Sequence, residues 1–229
     1  METILEIHEL QRHYTMGQVV VRALDGVTME LEKGEFLGLL GTSGSGKSTL
    51  LNLIAGLDRP TGGSLKVFGR DLAEMTRQDL SLHRRSNVGM IFQSFNLIPT
   101  MPALDNVALA MMFAGVSRPE REGRAAELLH SVGLADRQAH RPSEMSGGEQ
   151  QRVSIARAMA NDPAMLLADE PTGNLDSRTA HEILELLRNL NERQGKTIVL
   201  VTHDAAIAGA YARRRITLLD GRIVEESRS

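Results

Sequence analysis

The sequence predicts an α/β fold built on a mainly parallel sheet. Two observations carry that expectation: short, almost wholly apolar runs of strand length, and helix-patterned segments that alternate with them along the chain. A third is how two of the apolar runs end. Residues 165–168 run into Asp169 and Glu170, and residues 198–201 into Thr202 and His203. In open α/β sheets the carboxyl ends of strands are where ligands bind. With 229 residues, 41% of them hydrophobic, the chain can bury one sizeable core, so a single domain with subdomains is expected.

Taken in order, Leu5 and Ile7 alternate with polar neighbours, as on a half-buried strand. Residues 19–21 and 27–31 add two further strand-like runs, and residues 36–40 form a buried strand that enters a glycine-rich turn. A helix over 48–55 follows the turn, and residues 88–92 make another strand. From about Leu104 to Gly133 the pattern becomes helical (Val107, Leu109, Met111, Met112; then Ala125, Leu128, Leu129, Val132), with Pro119 near a helix start and Gly133 as a stop. This is a mainly helical subdomain inserted into the α/β core. A further helix begins near Ser177 and stops before Gly195, with Ile183, Leu184, Leu187 and Leu190 on one face. Residues 216–225 read as two short strands around Asp220-Gly221, a hairpin signal. No internal repeat or low-complexity segment is visible.

Composition removes several classes of function. The formal net charge is −3, without the basic excess that marks a nucleic-acid surface. Arg213-Arg214-Arg215 is a local exception, read as a solvated surface cluster. The lack of cysteine excludes disulfides and thiolate metal sites. None of the seven histidines stands in a His-Glu-x-x-His spacing, so no structural metal is expected. No apolar run approaches the ~20 residues of a spanning helix, and the N-terminus shows no secretory signal pattern. The expectation is a cytosolic chain whose membrane role would run through a partner.

Gly41-Thr42-Ser43-Gly44-Ser45-Gly46-Lys47-Ser48 fits the P-loop pattern in full, between a buried strand and a helix. Its glycines let backbone N–H groups turn inward, and the helix that follows adds its positive end. Lys47 then reaches the outer phosphates and the Ser48 hydroxyl can ligate Mg²⁺. A P-loop alone leaves kinases, GTPases, helicases and transport ATPases open, and the absence of Asn-Lys-x-Asp counts against a GTPase. Asp169, at a strand end, suits Mg²⁺ through water, and Glu170 beside it suits the orientation and deprotonation of an attacking water. Gln93, after the strand 88–92, offers a neutral amide to Mg²⁺ or water. His203 offers an imidazole to the γ-phosphate.

Ser146-Gly147-Gly148-Glu149 opens a helix that continues through Ile155 and Met159. Ser146 is a plausible N-cap, and the glycines leave backbone N–H groups open. This is a second anion-grade helix start, far along the chain from the first. Met145 to Ala158, with its Ser-Gly-Gly-Glu-Gln-Gln-Arg run, resembles the signature motif of ATP-binding-cassette (ABC) ATPases. The likeness covers essentially the whole chain in the family's order. Gly41 to Thr49 resembles Walker A, Gln93 falls at the Q-loop, and Met165 to Glu170 resembles Walker B. Asn174-Leu175-Asp176 falls at the D-loop, His203 at the switch histidine, and Tyr14, after the first strand, at the aromatic that stacks on adenine. Thr42, where many members have Pro, and Met145, where Leu is usual, depart from the pattern without touching its chemistry.

The resemblance implies a P-loop NTPase (RecA-like) core over about 1–95 and 160–229, with an N-terminal antiparallel β subdomain. A helical and signature subdomain would cover about 96–159. It implies a head-to-tail dimer that clasps two ATP·Mg²⁺ between copies. In each site one chain's Walker motifs would face the other chain's Ser146, Gly147, Gly148 and Glu149, with Asp176 nearby. It also implies an integral membrane permease partner gripped through the loop 94–98, no nucleic acid, and a peripheral place on the cytoplasmic face of the inner membrane. Residues 56–63, 95–100, 141–144 and 173–177 resemble the lipoprotein-releasing and macrolide-exporter branch. A force-transmitting, non-transport ABC ATPase is the alternative. A DNA-repair relative is less favoured, since those carry coiled-coil or cysteine insertions.

Overall fold

The computed structural model describes residues 2–17 and 19–228. Strand β1 (Thr3–Met16) pairs antiparallel with β2 (Val19–Glu32). The two runs expected at 19–21 and 27–31 are one continuous strand. Its polar interruption is tolerated because Asp25 is paired with Arg222 at 2.7 Å and Arg22 at 3.6 Å. Tyr14 lies within β1, opposite Val21, and not in a loop after it.

Next come β3 (Phe36–Leu40), α1 (Lys47–Ile54), β4 (Gly62–Val67), β5 (Arg70–Asp71), α2 (Arg77–Ser86) and β6 (Val88–Phe92). A helical stretch follows, with α3 (Ala103–Phe113), α4 (Arg118–Ser131) and α5 (Gly147–Met159). The chain ends with β7 (Met165–Asp169), α6 (Ser177–Gln194), β8 (Thr197–Val201), α7 (Ala205–Tyr211), β9 (Arg214–Leu219) and β10 (Arg222–Arg228).

These strands form two sheets. One is antiparallel, in the order β2-β1-β4-β5; the other runs β10-β9-β3-β8-β7-β6. In the second, β9, β3, β8, β7 and β6 are mutually parallel where they pair, and only β10 is antiparallel. The central strands are buried on both faces, which is why they read as unbroken apolar runs.

Helix α1 packs between the sheets. Leu50, Leu51, Leu53 and Ile54 join Leu5, Leu24, Leu39 and Leu167 in one core, each such side chain contributing about 1.5–3 kcal/mol by burial. A second core lies under α6, where Ile183, Leu184 and Leu187 meet Ile198 and Leu200. A third joins α3, α4 and α5 through Val107, Met111, Leu129, Met145 and Val153. Arg157, in the last turn of α5, ties that helical unit to the chain after β6 by donating to the carbonyls of Phe95 and Asn96.

Arg213-Arg214-Arg215 is not a solvated cluster throughout. β9 alternates, and Arg214 points inward, where only 6% of it is exposed. It pairs with Glu226 at 2.8 Å and Glu35 at 3.4 Å and donates to the Glu30 carbonyl. A charge tolerates such a position only when it is partnered.

Candidate functional site

Parallel strands β3, β8, β7 and β6 are neighbours in that order, so their carboxyl ends form one edge. The P-loop leaves β3, His203 follows β8, Asp169 and Glu170 close β7, and Gln93 follows β6. Residues spread over more than a hundred positions thereby share a rim.

Within the P-loop, helix α1 starts at Lys47, one residue earlier than expected, and Gly46 caps it at φ 104°. A Cβ at Gly46 would sit 2.3 Å from the Ala23 carbonyl oxygen of β2. Both the left-handed backbone and the close approach therefore exclude any other residue. Lys47 is 6% exposed. Its Nζ donates to the carbonyls of Gly41 and Thr42, each at 2.7 Å, and lies 3.5 Å from Ser45 Oγ. The ammonium is thus held inside the curve of its own loop, where the backbone N–H groups and the start of α1 favour an anion.

Ser48 Oγ donates to Asp169 Oδ1 at 3.2 Å. Burial pushes the Asp169 carboxyl above its ordinary value, and Glu170 adds to the effect; the Ser48 bond and Lys47 act the other way. A hydroxyl and a carboxylate side by side are the hard oxygen donors that Mg²⁺ accepts, few in number because phosphates and waters complete its shell. The donor set fits the ion.

Glu170 adopts φ 45°, a conformation rare outside glycine. Its N–H is fixed on the Val201 carbonyl at 3.1 Å, and its Oε2 meets His203 Nδ1 at 2.8 Å. Backbone strain of this kind persists where surroundings over-determine it, as at functional sites. The Gln93 amide is engaged on Asn174: its Nε2 donates to Asn174 Oδ1 at 3.4 Å, and Asn174 Nδ2 returns a bond to the Gln93 carbonyl at 3.1 Å.

The second anion-grade helix start belongs to α5. Ser146 accepts from the Glu149 N–H, while Glu149 Oε2 takes the Ser146 N–H at 2.8 Å and hydroxyl at 3.0 Å, a closed capping box. Arg137 binds the other Glu149 oxygen at 3.0 Å. The Ser146 N–H, Arg137 and the Ser146 hydroxyl together hold the Glu149 carboxyl below its ordinary value, against its partial burial. With the Glu149 side chain and N–H both committed, the first-turn N–H groups of Gly147 and Gly148 are the ones without an intrahelical partner.

A Cβ on Gly148 would lie 2.4 Å from Thr179 Cγ2. Asp176 N-caps α6 and receives the Thr179 N–H at 3.0 Å and hydroxyl at 2.6 Å. Its carboxyl is lowered chiefly by that hydroxyl. The starts of α5 and α6 are therefore packed together.

Three participants escaped the sequence reading. Arg137 fixes Glu149, Gln151 Nε2 donates to the Pro171 carbonyl at 2.7 Å behind Glu170, and Asp58 receives the Tyr14 hydroxyl at 2.7 Å. Gln151, inside the signature run, and Asp58, inside the 56–63 run, stand in motifs that could flag them; Arg137 does not.

Comparison with known proteins follows from this geometry. The family model for ABC transporters matches residues 24–173. An uncharacterised ABC transporter ATP-binding protein of Thermotoga maritima is 52% identical over 89% of this chain and 87% of its own length. The macrolide export ATP-binding/permease protein MacB of Rhodopseudomonas palustris is 47% identical over 97% of this chain, which spans 34% of that relative. MacB of Sodalis glossinidius is 46% identical, again over 34% of its length. Among solved structures, the cassette MJ0796, captured as a dimer in a post-hydrolysis state with ADP and Pi, superposes with a TM-score of 0.91. It is 42% identical over 98% of both chains.

Proposed function

This chain belongs to the ABC transporter family, and from that premise we propose that it is the ATPase of a membrane assembly, working as an ATP-clasped pair of copies. The observation that carries the proposal is the rim itself. Ser48 with Asp169, and Glu170 with His203, stand beside a complete P-loop, and the capped Ser146 helix start offers a second set of open N–H groups. In the proposed pair a two-fold axis brings one copy's P-loop to the other copy's Ser146 helix start.

In the proposed reaction the P-loop N–H groups and Lys47 hold the β- and γ-phosphates. Tyr14 takes the adenine on its ring. Ser48 and Asp169 would hold magnesium, with Gln93 added once its amide leaves Asn174; the ion would supply charge neutralisation to the phosphates. Glu170 orients a water and accepts its proton as the water oxygen bonds to the γ-phosphorus and the bond to the ADP oxygen breaks. His203, whose Nδ1 rests on Glu170, aligns that carboxylate and presents its other nitrogen to the γ-phosphate. The partner's Gly147 and Gly148 N–H groups close on the same phosphate from the far side.

The dimer in MJ0796 and the permease half named in MacB support two partners for this chain: a second copy and an integral membrane subunit. Among the described residues no helix is long and apolar enough to cross a membrane. We place the chain against the cytoplasmic face of a membrane through that subunit. The transport class we propose is macrolide export, as named for the MacB relatives, or the lipoprotein release that the sequence motifs resemble.

Replacing Glu170 by Gln tests the core of this proposal. Loss of the general base lowers kcat by roughly 10²–10⁴ and leaves binding intact, so ATP accumulates in a stable dimer. Light scattering with and without ATP reads the mass. A monomer under both conditions at high concentration refutes the clasp.

A further inference from the structure

We infer that Asp58, together with Arg12, is a positioning residue that locks the Tyr14 ring in place to receive the nucleobase. The inference rests on the reading, proposed above, that Tyr14 meets adenine. It gives a role to the loop 56–63, which the catalytic rim leaves unused.

The three side chains form one cluster. Tyr14 donates its hydroxyl to Asp58 Oδ2 at 2.7 Å, and Arg12 Nε donates to the same oxygen at 2.8 Å. The Arg12 guanidinium carbon lies 4.3 Å from the centre of the Tyr14 ring, a cation–π distance. One ring face is thus covered, and a base stacking on Tyr14 takes the opposite face. Asp58 is itself fixed, since its other oxygen accepts the Arg59 N–H at 2.7 Å. Partial burial works against its charge, yet the bonds from Tyr14, Arg59 and Arg12 hold its carboxyl below the ordinary value.

The place of Asp58 in the chain gives the cluster its meaning. It follows α1, whose first turn is the P-loop end, and its N–H reaches back to the Asn52 carbonyl of that helix at 3.3 Å. The same loop is stitched to β1 again, by Thr61 N–H to the Gln11 carbonyl at 2.8 Å and by His13 N–H to Thr61 Oγ1 at 3.1 Å. Base platform and phosphate cradle therefore sit at opposite ends of one short helix. A phenol held at its hydroxyl by a carboxylate and at its face by a guanidinium has little rotational freedom left to lose when a base arrives. Pre-organisation of that kind raises affinity without adding a contact.

A double-mutant cycle decides the matter. Tyr14→Phe removes only the hydroxyl, and Asp58→Ala removes its acceptor. Each is expected to raise the KM for ATP by about 3- to 10-fold, the range of a well-placed aromatic contact, with kcat falling less. The double variant is expected to match the worse single one, because both cut the same bond. Binding of inorganic triphosphate, followed by calorimetry, is expected to stay within about twofold of the parent protein, while ATP binding weakens. The chain has two tyrosines and no tryptophan. In a Tyr211→Phe background, quenching of tyrosine emission by ATP therefore reports Tyr14 alone, and this quenching is expected to shrink in the Asp58→Ala protein.

Additive effects, or equal losses for ATP and triphosphate, overturn the positioning role and leave Asp58 a structural tie. Should Asp58→Ala unfold the protein, Tyr14→Phe alone carries the test, through its ratio of ATP to triphosphate affinity. Tyr14→Ala separates the two levels. If it leaves the ratio of ATP to triphosphate affinity unchanged, the adenine reading itself is wrong. If it lowers ATP affinity while Tyr14→Phe and Asp58→Ala do not, the adenine reading stands and the positioning role fails.

Discussion

At the scale of single residues, the decisive group is Lys47, because its charge is buried and satisfied by its own loop before any ligand arrives. In the proposed site triphosphate has to outbid two carbonyls for it, and is expected to win because a charge-assisted bond to phosphate is stronger than one to a neutral carbonyl. Replacing Lys47 by Ala is expected to weaken ATP binding by roughly 100-fold, the loss of ~3 kcal/mol for one such bond. Unchanged affinity by calorimetry would overturn the cradle. Residues like these were legible in the sequence because P-loop chemistry fixes them at consecutive positions. Tyr14 was placed by analogy but its surroundings were not, since its carboxylate partner lies 44 positions away and no local spacing encodes that meeting. Arg214 shows the converse: a three-arginine run reads as surface until strand alternation turns its middle member inward.

At the scale of elements, the central strands and α6 announced themselves by unbroken apolar runs, a one-sided stripe and a glycine stop at Gly195. Helix α2 did not, being polar apart from Leu80 and Leu82. Its start was nonetheless written in Thr76-x-x-Asp79, which forms a capping box. Helix α7 is hard to read because its seven residues are mostly alanine and glycine and give no period, though Asp204 caps it. The 19–32 strand reads as two runs because strand patterning breaks at Arg22 and Asp25, which pair with each other while Asp25 also takes Arg222 from β10. Element contacts also explain why the signature needs glycine for more than bare N–H groups. Gly148→Ala drives a methyl into Thr179, whose hydroxyl is already committed to Asp176. The overpacking is expected to cost about 1–3 kcal/mol, seen as a lowered Tm, and to part the starts of α5 and α6. An undiminished Tm would show that the two helices yield freely.

For the whole molecule, the shared-site arrangement makes a prediction that no single-chain site can. A Ser146→Arg chain keeps its own P-loop but blocks its neighbour's. A Lys47→Ala chain keeps its helix tip but has lost its cradle. Each alone is expected to be inactive. Mixed in equal amounts, half the dimers are heterodimers with one sound site of two, so about a quarter of the parent ATPase rate is expected to return. Titrating one purified variant into the other and following phosphate release checks it, and silence at every ratio sinks the arrangement.

Helix α5 spans 13 residues, or about 20 Å, with the shared tip at one end. At the other, Arg157 grips the carbonyls of Phe95 and Asn96. In the proposed pair it would serve as a connecting rod with a bearing at each end. Retraction of the tip when phosphate departs would haul the far linkage through the same stroke, and whatever is seated against that linkage would be carried along.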